Sequence, residues 1–514
     1  MPFQILLAVT VLISSACGLI IEIVAGRLIA PIFGMSLYTW TSIIAVVLAG
    51  LSIGHWIGGQ LTKGTKPQIE QCNKIAYALI LSSLSSLLIL LLLDYVPGLA
   101  HSANLSVINS ILAATTGLFF LPSLFVGIVS PLATKLAIDL ANGDNSGVVI
   151  GRMYALGSAG AILGALLAGY FLISTLGSRN TIMVVAGLYF TLGVAFLLLS
   201  GHVRKQMLFV SVLLGVGMVS AVQISGGLNS RCYVESDYFC IQVQNFGRVG
   251  SEARLVALDH LVHSINDKEQ PELLHSPYVH FVDEYVEKRF GTRAMSAFFI
   301  GGGGFSLPRA WISKYHGVAS LTVAEIDPRV TAVAKEMLWF VPDAKNTILL
   351  QGDARYELNM LPENQRFDIV FGDAFHDISI PAHLVTREFN DLIAARLHDD
   401  GIYVVNVVDN SHSPRFLMSL VKTLRRSFPE VEVWFEPDTS QQGSRSTFVV
   451  VAAKTPIDED VLYAKRGFER SWWRWPQNRL EKAIQLDRFP VLTDDRAPVD
   501  QLMRNMLLSE LSWF

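Results

Sequence analysis

Glycine and carboxylate residues follow apolar segments in the C-terminal half of the chain, in a pattern that could bind a nucleoside. The first motif is FFIGGGG (298–304), in which a strand-like run leads into four glycines, including Gly301, Gly302 and Gly303. Glycines allow a tight turn and a close approach of the backbone to a ligand, and the N-terminus of a following helix favours electron-rich groups. A glycine-rich turn alone is equally typical of an ordinary strand-to-helix connection.

Carboxylates end the next three apolar segments: Glu325 in VAEID, Asp353 in LLQGDA and Asp373 in IVFGDAF. Glu325 follows the first glycine by about 20 residues, the distance at which an acid can accept hydrogen bonds from both hydroxyls of a ribose. Each acid alone could be a helix N-cap, but three at successive strand ends predict one nucleoside site. Because no lysine-bearing P-loop accompanies them, a nucleoside triphosphate is not expected.

Alternating strands and helices must position these motifs. The strand-like segments SAFFIGG, LTVAEID, NTILLQGD, FDIVFGD and GIYVVNV are separated by helical or polar segments, and EVWFE and TFVVVAA follow them. This alternation predicts a parallel sheet covered by helices, with ligands at the carboxyl ends of the strands. Upstream, YFCIQVQ and ARLVALD predict a β-hairpin.

The N-terminal part of the chain has a different composition. Of the 514 residues, 51% are hydrophobic and 16% are charged, which excludes both an ordinary soluble enzyme and a disordered protein. The apolar residues concentrate before residue 226, where they predict a multi-pass α-helical domain in a lipid bilayer, because a span needs about 20 apolar residues. The seven predicted spans are residues 4–30, 38–61, 75–93, 106–134, 153–176, 181–200 and 207–226.

Basic residues predict the orientation of these spans. They follow the second, fourth and sixth spans, at Lys63, Lys66, Lys74, Lys135, Arg152, Arg204 and Lys205. By the positive-inside rule these loops are cytoplasmic, so the N-terminus is cytoplasmic and the C-terminal half lies on the other side of the cell (inner) membrane. There Cys232 and Cys240 could form a disulfide, although a pair of buried thiols is equally compatible with the sequence.

Other polar residues leave alternatives open. Glu22 and Arg27 in the first span either serve a function or satisfy each other within a helix bundle. The aromatic run SWWRWP (471–476) fits either the membrane interface or ordinary packing. Histidines 260, 263, 275 and 280 match no zinc pattern, so no metal is expected. The net charge of −4 gives no basic field, so nucleic acid is not an expected partner.

The motifs GGGG, VAEIDP, GDA and FDIVFGDAF, together with LDHLVHS upstream, resemble those of spermidine synthases. These aminopropyltransferases share the Rossmann-like fold of S-adenosylmethionine-dependent methyltransferases. With the seven spans, and with GMSLYTWTSII, YALGSAGAILGALLAGY and PVLTDDRAPVDQL, the chain resembles bacterial membrane-anchored spermidine synthase-like proteins. The resemblance implies a transmembrane domain (1–226), a β-hairpin and gate segment (227–290) and a Rossmann-like catalytic domain (291–514).

The resemblance also implies a reaction. S-adenosylmethionine or its decarboxylated form would be the co-substrate, a small amine or polyamine the acceptor, and 5′-methylthioadenosine the product; a homodimer would be compatible. The glycines at 301, 302 and 303, Glu325, Asp353 and Ala354 would bind the nucleoside. Asp373 would deprotonate or orient the amine, which needs a lone pair to attack carbon. Either His275 or Tyr278 in PELLHSPYVH would take the place of the family's active-site tyrosine.

The sequence departs from the family pattern at several positions. Gly304 stands where the family has an aspartate that holds the aminopropyl amine, which would make room for the carboxylate of intact S-adenosylmethionine. His376, with Asp377 next to it, stands at the second acid of the family's DSSDP motif. Asp494 and Asp495 either supply substrate-binding carboxylates or cap a helix that begins near Val499. The alternatives to aminopropyl transfer are a methyltransferase and a non-catalytic nucleoside sensor or transport-associated protein.

Overall fold

The structure is a computed structural model of the chain and describes residues 2–64, 67–102, 105–141, 145–199, 205–247, 252–315, 319–375, 379–437, 445–484 and 489–509. It divides into two compact units, Met1–Cys240 with Leu511–Phe514, and Ile241–Glu510. The segment between residue 226 and Cys240 therefore groups with the N-terminal unit.

The N-terminal unit is helical. Among the described residues, seven helical segments are long and apolar enough to cross a membrane, as the hydropathy pattern predicts. The helices are α1 (Pro2–Phe33), α2 (Leu37–Leu61), α3 (Gln68–Leu92), α4 (Val96–Ser102), α5 (Val107–Leu140), α6 (Ser146–Leu167), α7 (Ile173–Leu176), α8 (Ser178–Leu199) and α9 (Lys205–Ile224), with a 3₁₀ turn at Leu93–Tyr95 and a π-helical turn at Ala168–Leu172.

Glycines let two pairs of these helices approach closely. A side chain at Gly54 of α2 would overlap the carbonyl oxygen of Leu124 in α5, and one at Gly127 of α5 would lie 2.7 Å from the carbonyl oxygen of Leu51. Gly160 of α6 is packed in the same way against the backbone of α1. Such backbone proximity is how apolar helices associate where burial from water contributes little.

The segment that follows α9 is closed by a disulfide and bonded to α1 of its own unit. A disulfide joins Cys232 and Cys240, which resolves the alternative left open by the sequence. Arg27 donates to the carbonyl oxygens of Ser236 at 2.6 Å and Tyr238 at 2.5 Å. The guanidinium group of Arg27 therefore finds its hydrogen-bond acceptors in this segment rather than in Glu22. The short strand β1 (Val234–Glu235) lies within this segment.

The C-terminal unit begins with an antiparallel sheet and continues with the predicted α/β arrangement. Strands β2 (Cys240–Asn245), β3 (Ala253–Leu258) and β4 (Leu261–Asp267) pair in sequence. The main sheet has nine strands in the order β12-β13-β10-β11-β9-β8-β5-β6-β7. They are β5 (Met295–Ile300), β6 (Ala319–Glu325), β7 (Thr347–Gln351), β8 (Phe367–Gly372), β9 (Leu397–Asn410), β10 (Glu430–Phe435), β11 (Arg445–Ala453), β12 (Val461–Tyr463) and β13 (Ser471–Arg474).

Helices connect and cover these strands. They are α10 (Pro277–Phe290), α11 (Ser306–Tyr315), α12 (Pro328–Met337), α13 (Ala354–Met360), α14 (Arg387–Arg396), α15 (Arg415–Leu424), α16 (Gln477–Ile484) and α17 (Val499–Ser509). Every residue of β8 is buried, as expected for a central parallel strand covered on both faces.

The strand order determines where a ligand can bind. Strands β5 to β9 are parallel, whereas β11 runs antiparallel to both β9 and β10. The chain moves outward from β5 through β6 to β7 and then returns to β8 on the other side of β5. The Rossmann-like fold class is thus confirmed, and its topological switch point lies between β5 and β8, the usual site for ligands in such sheets.

Candidate functional site

The glycine run forms the loop between β5 and α11. Gly301 has a φ of +92°, and a Cβ there would lie 3.0 Å from the carbonyl oxygen of Asp373, so glycine is required for the loop to pass the end of β8. Phe305 ends the loop with a φ of +54°, and its buried ring stacks on Phe340 at a centroid distance of 4.3 Å. This aromatic contact holds the C-terminal end of the loop in place.

Glu325 connects this loop to the end of β6. Its carboxylate accepts hydrogen bonds from the backbone N–H of Gly302 at 2.8 Å, Gly303 at 3.3 Å and Asp327 at 3.0 Å. The side chain is buried, and burial raises the pKa of the carboxyl group although the three N–H donors act in the opposite direction. The acid predicted to bind ribose is therefore held against the glycine loop.

Asp353 combines two contacts at the end of β7. One carboxylate oxygen caps α13 by accepting from the N–H of Tyr356 at 3.0 Å, and the other lies 2.7 Å from Nε2 of His383. Burial alone would raise the pKa of Asp353, but the hydrogen bonds outweigh it and lower the pKa. Ala354 is the first residue of α13. His383 was missed from the sequence, because nothing local indicates that its 3₁₀ turn faces β7.

Asp373 lies at the end of β8 between two side chains from other elements. Asn406 of β9 donates to one carboxylate oxygen at 2.8 Å, and the hydroxyl of Tyr278 donates to the other at 3.1 Å. Burial raises the pKa of Asp373 to about 7, with the two hydrogen bonds opposing the rise. The carboxyl group can therefore exchange a proton near neutral pH, as a general base requires.

The structure separates the two candidates for the active-site tyrosine position. Tyr278, in the first turn of α10, contacts Asp373, and burial raises its pKa well above the usual value, so its hydroxyl remains a donor. His275 instead packs against Phe246 and Phe468, with ring centroids 5.8 Å and 5.2 Å away. Asn406 was another residue missed from the sequence, although it interrupts the apolar run GIYVVNV.

Gly304, where the sequence departs from the family pattern, is covered by β4. A side chain at Gly304 would overlap the hydroxyl oxygen of Ser264, which reaches across from β4 and is buried. Asn266, also on β4, donates to the carbonyl oxygen of Gly304 at 2.8 Å. The position that the family gives to an aspartate side chain is thus occupied by β4 of the preceding sheet.

The residues predicted to bind substrate do not group around Asp373 among the residues that the structure describes. Both carboxylate oxygens of Asp494 pair with Arg355 at 2.7 Å, and one also accepts from Thr386 at 2.7 Å. The hydrogen bond from Arg355 is the main reason that the pKa of Asp494 falls to about 2. Asp494 thus fastens α13 and α14 rather than capping α17, and Asp495 is exposed. His376 and Asp377 lie outside the described residues.

Two of the clustered histidines contact a carboxylate or aromatic rings. His280 lies 3.5 Å from the carboxylate of Glu284, one turn later on α10, and His275 packs on the rings named above. Within the described ranges, no three histidine, cysteine or acidic side chains converge as metal ligands would.

We compared the sequence with protein-family models and with known proteins. Residues 274–454 match the spermine/spermidine synthase domain. A polyamine aminopropyltransferase of Vibrio vulnificus (strain CMCP6) is 31% identical over 143 residues, which cover 28% of this chain and 46% of that protein. A probable polyamine aminopropyl transferase of Bifidobacterium longum (strain NCC 2705) is 26% identical over 226 residues, covering 41% and 49%.

A probable spermidine synthase from Corynebacterium glutamicum ATCC 13032 is similar in structure, with a TM-score of 0.44 and 17% identity, covering 52% of this chain and 96% of that one. The chain spans about half the length of the first two curated relatives. The match to the spermine/spermidine synthase domain lies within the C-terminal unit.

Proposed function

We propose that this chain is a membrane-anchored transferase that binds S-adenosylmethionine or its decarboxylated form and transfers an aminopropyl-type group to an amine, releasing 5′-methylthioadenosine. The observation that carries this proposal is the environment of Asp373. It lies at the switch point of the sheet, has a pKa raised to about 7, and is held by Tyr278 and Asn406.

The chemistry requires an amine with a free lone pair. Asp373 accepts the proton that the ammonium group loses, and the amine nitrogen then attacks the carbon bonded to the positively charged sulfur. The C–N bond forms as the C–S bond breaks, and the electron pair of that bond passes to sulfur, leaving a neutral thioether. Tyr278 and Asn406 each hold one oxygen of Asp373, and such positioning supplies much of the rate acceleration.

The nucleoside would lie across the ends of β5, β6 and β7. The loop at Gly301, Gly302 and Gly303 would allow the backbone to approach it, and Glu325 would accept hydrogen bonds from the ribose hydroxyls. Asp353 and the backbone of Ala354 would bind the adenine ring. The oxygen of Asp353 that now contacts His383 is the one not used to cap α13, so adenine would exchange with that histidine.

The N-terminal unit would anchor the enzyme in a lipid bilayer. Its seven long apolar helices have the length and composition for this role. Basic residues after the second, fourth and sixth predicted spans support an extracytoplasmic position for the chain beyond α9. The Cys232–Cys240 disulfide supports the same side, because the cytosol keeps such thiols reduced.

Product identification tests the reaction. Purified full-length protein is incubated with S-adenosylmethionine or its decarboxylated form and a panel of short amines, and the nucleoside product is identified by mass spectrometry. We expect 5′-methylthioadenosine, and about 10²- to 10⁴-fold slower release from Asp373→Asn. S-adenosylhomocysteine as the only product would instead establish methyl transfer. Tight nucleoside binding without any product would support a sensor.

A further inference from the structure

A cavity of about 160 Å³ lies beside Tyr278, at the ends of β10 and β11. Its wall includes Trp434, Glu436, Arg445 and Trp472. Register pairs Trp434 with Val449, so Arg445, four residues before Val449 on β11, shares their face of the sheet, and Glu436 directly follows the end of β10. Because the hydroxyl of Tyr278 donates to Asp373 at 3.1 Å, the cavity is one side chain away from the proposed base.

Three side chains in this wall, Arg445, Trp434 and Trp472, can only donate hydrogen bonds, and the indole N–H of Trp434 already donates to Glu432 at 2.7 Å. Arginine has no acceptor atom, and neither has the indole ring of tryptophan. Trp472 is 2% exposed, and its Nε1–H has no hydrogen-bond partner in the part of the chain that the structure describes. A buried donor without a partner is costly, so the cavity favours a molecule that brings an acceptor.

The wall also contains one carboxylate. Glu436 lies 3.8 Å from the guanidinium of Arg470, and both side chains are 14% exposed. A simple diamine has two ammonium groups, which only donate and which an arginine repels. Because Glu436 already lies beside Arg470, a carboxylate suits the donors of the cavity, and the ammonium group of the same molecule would lie toward Asp373.

We propose that the acceptor is an amine that also carries a carboxylate, and that Arg445 and the indole N–H of Trp472 bind this carboxylate. The inference rests on the proposed function and specifies its acceptor. The amine end extends past Tyr278 to Asp373, which takes its proton. The new C–N bond forms on that amine while the carboxylate stays in the cavity unchanged.

A matched pair of acceptors tests the inference. 4-Aminobutyrate and 1,4-diaminobutane have the same chain length and differ in the group at the far end. We expect full-length protein to release 5′-methylthioadenosine with a kcat/KM at least about tenfold higher for 4-aminobutyrate, since charge-assisted hydrogen bonds are the strong ones. A preference for 1,4-diaminobutane would overturn the inference and leave the proposed transferase function intact.

Variants identify the groups that bind the carboxylate. Arg445→Gln should lower kcat/KM for 4-aminobutyrate by about 10- to 100-fold and leave 1,4-diaminobutane unaffected or improved. Lys454→Gln removes a cation just past the other end of β11 and should leave kcat/KM unchanged for both acceptors.

Trp472→Phe keeps an aromatic ring but loses the indole N–H, so it should lower kcat/KM for 4-aminobutyrate several-fold. Trp473→Phe, at the exposed neighbouring residue, should not lower it. An equal loss for both acceptors in Arg445→Gln would contradict the inference.

A binding measurement keeps the two proposals separable. Calorimetry in the presence of 5′-methylthioadenosine should detect 4-aminobutyrate binding to the wild type and a loss of affinity in Arg445→Gln. Binding without turnover would support the cavity assignment while contradicting the transferase function. No binding of 4-aminobutyrate would overturn the assignment.

Discussion

The protonation of Asp373 controls the proposed reaction at the scale of single residues. Burial raises the pKa of this carboxyl group to about 7, so half of the molecules hold a protonated, non-basic Asp373 at that pH. Asn406 and Tyr278 donate to its two oxygens and favour the ionised form, but they do not cancel the effect of burial. The residue is therefore balanced between the two forms near neutral pH.

A pH profile tests this balance. Because only the ionised carboxylate accepts a proton, kcat/KM for 5′-methylthioadenosine release should rise with pH and bend near pH 7. Asp373→Asn should lose about 10²- to 10⁴-fold in rate and show no such bend. Asp399→Asn, which changes a fully exposed carboxylate on β9, should retain the wild-type profile. A wild-type rate that stays constant from about pH 5.5 to 8 would contradict the assignment of Asp373 as base.

Some site residues could be predicted from the sequence and others could not. Asp373, Glu325 and Asp353 each end an apolar strand, so their common position at one sheet edge follows from the strand pattern. Asn406 and His383 come from elements that become neighbours only through tertiary packing. The choice between His275 and Tyr278 also required the helix start at Pro277, because His275 precedes the helix whereas Tyr278 lies in its first turn and reaches Asp373.

Strand β4 and the glycine loop show how one element limits another. The hydroxyl of Ser264 fills the position that a side chain at Gly304 would take. Comparison with the family's glycine motif indicates that an aspartate is missing, but it cannot identify which residue fills the space. The C-terminal strands show a similar limit: β12 and β13 are short, and the run SWWR forms β13 with Trp472 buried and Trp473 half-exposed.

Restoring the family's aspartate should therefore destabilise the protein. Gly304→Asp overlaps Ser264, and overpacking of this kind costs about 1–3 kcal/mol, or several degrees in melting temperature. The double variant Gly304→Asp with Ser264→Gly should recover most of this loss, and Ser264→Gly alone provides the reference. Thermal unfolding of the detergent-solubilised chain measures the effect. A double variant no more stable than Gly304→Asp would show that β4 does not set the limit.

The whole molecule consists of a helical unit and an α/β unit, and the change in composition near residue 226 already predicts two parts. What composition cannot predict is that the chain as far as Cys240 groups with the helices, because the bonds of Arg27 to Ser236 and Tyr238 are long-range contacts. An odd number of spans would place the chain beyond α9 opposite the N-terminus.

Thiol labelling tests this orientation. Asp399→Cys places a thiol at a fully exposed position of the C-terminal unit, and Lys63→Cys places one in the loop after α2. A membrane-impermeant maleimide should label Asp399→Cys in intact spheroplasts and Lys63→Cys only after permeabilisation. Cys17 and Cys72 are buried, so the wild type gives the background. The reverse labelling pattern would overturn the proposed orientation.

Calorimetric titration of the full-length protein with 5′-methylthioadenosine tests the central claim most directly, because every proposed role depends on adenosine binding across β5, β6 and β7. The wild type should release or absorb heat with a saturable isotherm, and Glu325→Gln should weaken the affinity at least about tenfold through the lost charge-assisted bonds to the ribose. Glu363→Gln, at an exposed acid, should bind as the wild type does. Absence of binding by the wild type, or equal affinity in Glu325→Gln, would contradict the account.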